Sequence, residues 1–184
     1  MVAAIVVIAI VVVLVLTLVL VYNRLVRLRN RTENAWAQVD VQLRRRYDLV
    51  PNLVEAVKGY AAHEKGVLES VTEARTTAQG ARGVEAKAEA ENVLSSALGR
   101  LLAVAEAYPD LKASASFQEL QAQLGEIEGD IAVSRQVYND TVLTYRNSIQ
   151  SVPTNVVASA FHFAPKQYFE IDDLAAREPV PVRF

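Results

Sequence analysis

Cysteine is absent, which excludes disulfides, thiol nucleophiles and cysteine metal sites. Histidine occurs twice, methionine and tryptophan once each, and glycine seven times in 184 residues. Up to residue 150 there are only two prolines, Pro51 and Pro109. A chain this poor in breakers and rich in Ala, Leu, Glu, Gln and Arg is expected to be helical. Net charge is −2, so no excess of basic residues points to a nucleic-acid partner, and none is expected. Charge is missing altogether from residues 2–21, where Thr17 is the sole polar side chain.

That apolar run is the most informative feature present. Twenty helical residues rise about 30 Å, the thickness of a bilayer's hydrocarbon core. A cleaved signal peptide would have a basic start, a shorter apolar core and a small-residue cleavage site. Met1-Val2-Ala3-Ala4 has no charged side chain and residues 18–22 offer no such site, so the expectation is an uncleaved anchor. Arg24, Arg27, Arg29 and Arg31 follow at once. By the positive-inside rule they place the N-terminus outside and the remainder in the cytoplasm. This collar has two open readings. It sets topology and snorkels into headgroups, or it recognises anionic lipid.

The rest is the size of one domain, and its apolar spacing is helical. Leu25, Leu28, Ala35, Trp36, Val39, Leu43, Tyr47 and Val50 recur at steps of mostly three and four. No Gly or Pro separates them from the span, so the transmembrane helix is expected to run on into this segment. Pro51 lacks a backbone donor and clashes with the carbonyl four residues back, which predicts a kink or turn at 47–50. Helices are expected at about 23–48, 51–78, 84–107 and 115–152. Gly80 and Gly83 divide the second from the third, and Pro109 ends the third. Ser116-Phe117-Gln118-Glu119 matches a capping box for the fourth. In that fourth helix Phe117, Leu120, Leu124, Ile127, Ile131, Ser134, Tyr138, Thr141, Tyr145, Ile149 and Val152 form one seam. The expected fold is all-α: an anchor (1–22) continuing into an antiparallel four-helix bundle (23–153), then a docked irregular C-terminal tail (154–184).

In the tail, Phe161, Phe163, Tyr168 and Phe169 put four aromatics in nine residues, which disordered segments lack. They dock on the bundle, or they form a hydrophobic hook for a neighbouring subunit or lipid. Residues Arg177-Glu178-Pro179-Val180-Pro181 read as extended and mobile.

Chemistry is scarce. His63-Glu64 opens like a zinc-protease motif, but Val67 stands where the second histidine belongs. No Glu-x-x-His pair, nucleophile elbow or phosphate loop occurs, so no catalytic residue, metal or cofactor is expected, nor an enzyme. The densest charge run is Arg44-Arg45-Arg46. Three consecutive arginines on a helix point three ways. They pair with acidic residues of adjacent helices, or contact lipid or a partner. Asp40, Arg135 and Asn139 flank apolar stripes, where they fix helix register or line a small pocket.

Several blocks together resemble the LemA family. They are Tyr22 to Arg31, Glu33-Asn34-Ala35-Trp36, Asp40 to Leu53, and Val57 to Ala61 with His63-Glu64. Later come Tyr138-Asn139, Tyr145, Ile149, Pro153, Phe161, Phe163, Tyr168, Phe169 and Glu170. Thr32, Arg146, Val152 and His162 depart from the pattern, His162 standing where glycine is usual. The resemblance implies a bacterial membrane protein with one N-terminal span and a cytoplasmic helical bundle, some relatives of which help build internal membrane compartments. It brings no catalytic residues. The expected function is a membrane-anchored scaffold that forms homo-oligomers and organises or shapes the bilayer. The alternative is an adaptor or sensor for a membrane or signalling protein partner.

Overall fold

The structure, a computed structural model, describes residues 1–171. Among them all regular structure is helical, as the breaker-poor composition requires. The helices are α1 (Val2–Lys58), α2 (Lys65–Gly80), α3 (Val84–Glu106), α4 (Pro109–Lys112), α5 (Ala115–Gln150) and α6 (Thr154–Ala160). The mobility expected at residues 177–181 falls outside the described residues.

The helix from the span does not break at Pro51. It runs through the proline to Lys58, and the turn comes at Gly59 and Tyr60 instead. Proline removes the donor to the carbonyl four residues back, here that of Tyr47. Arg75 of α2 supplies a replacement, its Nε donating to the Tyr47 carbonyl at 2.6 Å. The expected helix at 51–78 is therefore the end of α1 plus α2. The capping box is not formed either. Ser116 lies inside the first turn of α5, its hydroxyl 2.9 Å from that of Ser114, while Gln118 reaches the Lys112 carbonyl.

The chain divides into two compact units, to both of which α1 and α5 contribute. The first comprises Met1–Gln38 and Gln136–Gln167. Its core is Leu25, Tyr145, Ala158 and Phe163, with Val21, Tyr22, Val26, Leu28, Ile149 and Val157 packed around them. Farther along α1 the Trp36 and Tyr138 rings meet at 5.2 Å. Thr32 is buried, and its hydroxyl is satisfied by the Leu28 carbonyl at 3.1 Å. Val152, assigned to the seam, lies beyond α5 and is exposed.

A Schellman turn ends α6 and sends the chain back along the unit. Phe163 N–H donates to Ala158 O at 2.9 Å and His162 N–H to Ser159 O at 3.3 Å. His162 takes the left-handed conformation at φ 55°, the position glycine favours. Two tyrosines of α5 then hold the extended segment. Tyr145 Oη donates to Ala164 O at 3.1 Å and Tyr138 Oη to Gln167 O at 2.8 Å.

The second unit comprises residues 39–135 with the chain from Tyr168. Its core draws Val39, Leu43, Val50, Leu53 and Val57 from α1, Val71 and Ala78 from α2, and Leu94, Leu98 and Leu101 from α3. Phe117, Leu124, Ile127 and Ile131 add the α5 seam, and Phe169 is buried in the same unit. Gly83 precedes α3 at φ 85°, where a side chain would be strained.

Candidate functional site

Two constellations stand out, one in each unit. In the second unit the three arginines of α1 part company. Arg44 pairs with Asp40 one turn back at 2.6 Å and is largely exposed. Arg45 reaches Asp130 of α5 at 2.8 Å. Arg46 is buried, so it cannot belong to the candidate interaction surface; a buried cation needs partners, and α3 and α5 provide them. Its guanidinium binds the Glu91 carboxylate, Glu128 at 2.7 Å and Ser95 at 3.1 Å, leaving only Nε without a partner. Tyr47 donates its hydroxyl to the other Glu91 oxygen. Lys87 donates to the Ala78 carbonyl at 3.0 Å and stands 5.3 Å from the Tyr47 ring centre.

The electrostatics fix this network in one state. Burial alone opposes the Arg46 charge, but Glu91 and Glu128 outweigh it and hold the guanidinium more basic than usual. Burial, then the hydrogen bond and charge of Glu91, push the Tyr47 hydroxyl far above the ordinary phenol range. A buried carboxylate held between a guanidinium and a phenol cannot reach a substrate. It joins α3 to Arg46 and Tyr47 of α1, and the same Arg46 reaches α5 through Glu128. Asp40 stands beside it, 3.9 Å from Lys87 Nζ. Arg135 donates to Ile171 O at 2.9 Å, tying α5 to the tail. Asn139 is half-buried on α5.

The first unit holds the exit from the apolar helix. Arg24, Arg27, Arg29 and Arg31 are all exposed there. The Arg29 guanidinium lies 5.5 Å from the centre of the Phe163 ring. Tyr22 meets Phe161 at 4.9 Å and Phe163 at 5.6 Å, both edge-on. Of the four tail aromatics, Phe163 and Phe169 are buried, which removes them from the candidate surface. Tyr168 is half-buried, and Phe161 is half exposed. Apolar side chains that must leave water have a covered face of α1 and α5 within reach. Sequence reasoning missed α6 and the role of the α5 tyrosines. The available signal was Tyr, rather than Leu or Phe, at two seam positions: a hydroxyl on a buried ring needs a partner.

Among the described residues no group of three or more His, Asp or Glu is placed to hold a metal ion. Among the described residues one helix is long and apolar enough to cross a bilayer, and none of its apolar window is buried within the protein. Together with the helices that make up all other regular structure among the described residues and a basic exit, this defines a membrane-associated helical protein.

The chain belongs to the LemA family, whose model matches residues 35–184. Magnetosome protein MamQ 2 of Paramagnetospirillum magneticum is 28% identical over 175 residues, covering 81% of this chain and 64% of the relative. Magnetosome protein MamQ of Magnetospirillum gryphiswaldense is 25% identical over 174 residues, 80% of this chain and 64% of the relative. Protein LemA of Metamycoplasma hominis is 24% identical over 153 residues, 83% of this chain and 70% of the relative. The chain thus spans 64% of the length of those magnetosome relatives.

Proposed function

We propose that the protein is a single-span membrane scaffold that self-associates through its helical domain and organises or shapes the bilayer. The observation that carries this reading is α1. One helix, Val2–Lys58, holds both the apolar span and buried core positions from Leu25 to Val57. Packing of the domain therefore constrains the span directly, with no flexible linker between them. Apolar residues left outward on α5, Val133, Val137 and Leu143, offer material for contact between copies. The magnetosome relatives agree with work at a membrane compartment. In this reading the N-terminus lies outside, the helical domain lies in the cytoplasm, and the four collar arginines sit among lipid headgroups. It assigns no chemical reaction and needs no cofactor.

A second reading, an adaptor or sensor for a membrane or signalling protein, draws on one observation. An open groove of about 830 Å³ lies between the end of α1 and α2, lined by Val54, Lys58, Leu68, Glu69 and Thr72 among others.

The test is the mass and shape of the full-length protein in mild detergent, by light scattering coupled to chromatography and then electron imaging. Symmetric or curved oligomers are expected. A monomer at every concentration overturns the scaffold, and a stoichiometric foreign partner without self-association favours the adaptor.

A further inference from the structure

We infer that α6 and the turns flanking it form a second membrane contact, in which Val152, Val156 and Phe161 enter the boundary between headgroups and acyl chains beside the span. Three observations converge. The first is depth. The apolar run ends at Val21, so Tyr22 stands at the edge of the hydrocarbon layer. The Phe161 ring lies 4.9 Å from that of Tyr22, and Val157 packs in the same cluster as Val21 and Tyr22. The α6 segment therefore sits at interfacial depth as soon as α1 is inserted.

The second is exposure. α6 buries Ala158 and partly buries Val157 against the first unit's core. Val156 on α6 is 68% exposed, and in the turns flanking it Val152 is 82% and Phe161 48% exposed. Tyr22 covers one edge of the Phe161 ring, and the rest of this patch faces outward. At a bilayer surface, aromatic and aliphatic side chains occupy this boundary.

The third is charge. Nineteen consecutive residues, 147–165, contain no Asp, Glu, Lys or Arg, in a chain where 22% of residues are of those types. The residues bounding the stretch, Arg146 and Lys166, are both cations, as is the collar along α1 at Arg24, Arg27 and Arg29. A segment facing solvent gains nothing from excluding charge. A segment entering the edge of the hydrocarbon layer must exclude it, because an ionised side chain there loses its hydration. The occupant is thus the bilayer that holds the anchor, and not a soluble ligand.

This inference rests on insertion of α1 but not on self-association. The chain lacks cysteine, so single substitutions Val152→Cys, Val156→Cys and Gln38→Cys each give one labelling site. All three positions are exposed, and labelling them disturbs no core. Gln38 is the control: it lies on α1 about 24 Å along the helix from Tyr22 and outside the apolar patch offered for contact between copies. The full-length protein, carrying an environment-sensitive fluorophore, is reconstituted into phosphatidylcholine–phosphatidylglycerol vesicles. Labels at 152 and 156 are expected to emit to the blue of the label at 38. They should be quenched by shallow nitroxide lipids and reached several-fold more slowly by aqueous iodide. Iodide access equal to that at 38, with no lipid quenching, overturns the inference. So does a label shielded from iodide yet untouched by nitroxide lipid, which marks burial against another copy. If the protein still floats with the vesicles in either case, the anchor stands and only the α6 contact falls. Oligomer mass, measured separately, decides the scaffold.

Discussion

Arg75 donates its Nε to the main-chain carbonyl of Tyr47 at 2.6 Å, the carbonyl that Pro51 leaves without a helical partner. A proline in a helix interior costs about 3 kcal/mol, part of it the orphaned acceptor. Here a side chain from the next helix takes the place of the missing N–H, and α1 continues for two more turns to Lys58.

That pairing predicts a coupling. Arg75→Leu alone should lower stability by about 1–3 kcal/mol, the cost of a buried acceptor left unmade. In a Pro51→Ala background the backbone donor returns, and the same substitution should cost much less. A double-mutant cycle by urea denaturation in detergent measures the difference, and additive effects would refute the compensation.

The Arg46–Glu91 pair predicts a different asymmetry. Arg46→Met strands the Glu91 carboxylate in the core and should cost about 3–5 kcal/mol. The double variant Arg46→Met/Glu91→Leu removes both charges, and the Tyr47 hydroxyl still lies 3.3 Å from the Ala78 carbonyl. It should be more stable than the single variant, as read from thermal midpoints by circular dichroism.

His162 is the third case. It holds a left-handed conformation that costs most L residues about 1–2 kcal/mol, while glycine pays part of that back in chain entropy. His162→Gly should therefore stabilise the protein by up to about 1 kcal/mol, and His162→Val should destabilise it. Thermal melts that rank the three residues otherwise would show that the turn is not set by this dihedral.

Stability should also fall in alkali. Burial pushes the Tyr138 hydroxyl up to about 12 and raises those of Tyr47 and Tyr145 as well. A phenol that is harder to ionise when folded adds stability that is whole below the unfolded value near 10. This stability is lost as pH climbs from there through the folded value. Each such tyrosine contributes a slope of up to about 1.4 kcal/mol per pH unit in that window. Thermal midpoints between pH 9 and pH 12, about the window these values define, check it. Tyr138→Phe, already lacking the bond to Gln167, should show a shallower decline.

Which parts of this fold could be read in the sequence follows from how far each determinant reaches. The α5 seam was legible because a helix repeats its own face. Phe117, Leu124, Ile127, Ile131, Tyr138, Thr141 and Tyr145 are all buried, as their spacing requires. The continuation of α1 was legible up to Pro51 and not beyond, because the donor that rescues it sits 28 positions away from the carbonyl it serves. Arg46 was hidden among three like residues for the same reason. Which arginine turns inward depends on Glu91, 45 positions later.

The candidate site was less legible. α6 was absorbed into the tail because Pro153 read as a stop, whereas it precedes and starts a new helix. Burial of Phe163 and Phe169 followed from the need to cover apolar rings. The exposure of Phe161 did not, because its outward position is set by the Schellman turn one residue on.

The first unit also has a consequence for biogenesis. Its contacts join distant parts of the chain: the Thr32 hydroxyl lies 3.4 Å from the carbonyl of a residue 109 positions later, and Glu33 accepts from Lys166, 133 positions later. A ribosome delivers the apolar helix first and its covering partners last. Until the second half of α5 has emerged, Leu25 and Thr32 lack the Tyr145 and Thr141 beside which they are buried, and Phe163 comes later still. The nascent protein therefore waits at the bilayer with an open seam, and any truncation before that point leaves the seam unclosed. The order of synthesis thus puts the closing of this core at the end of translation.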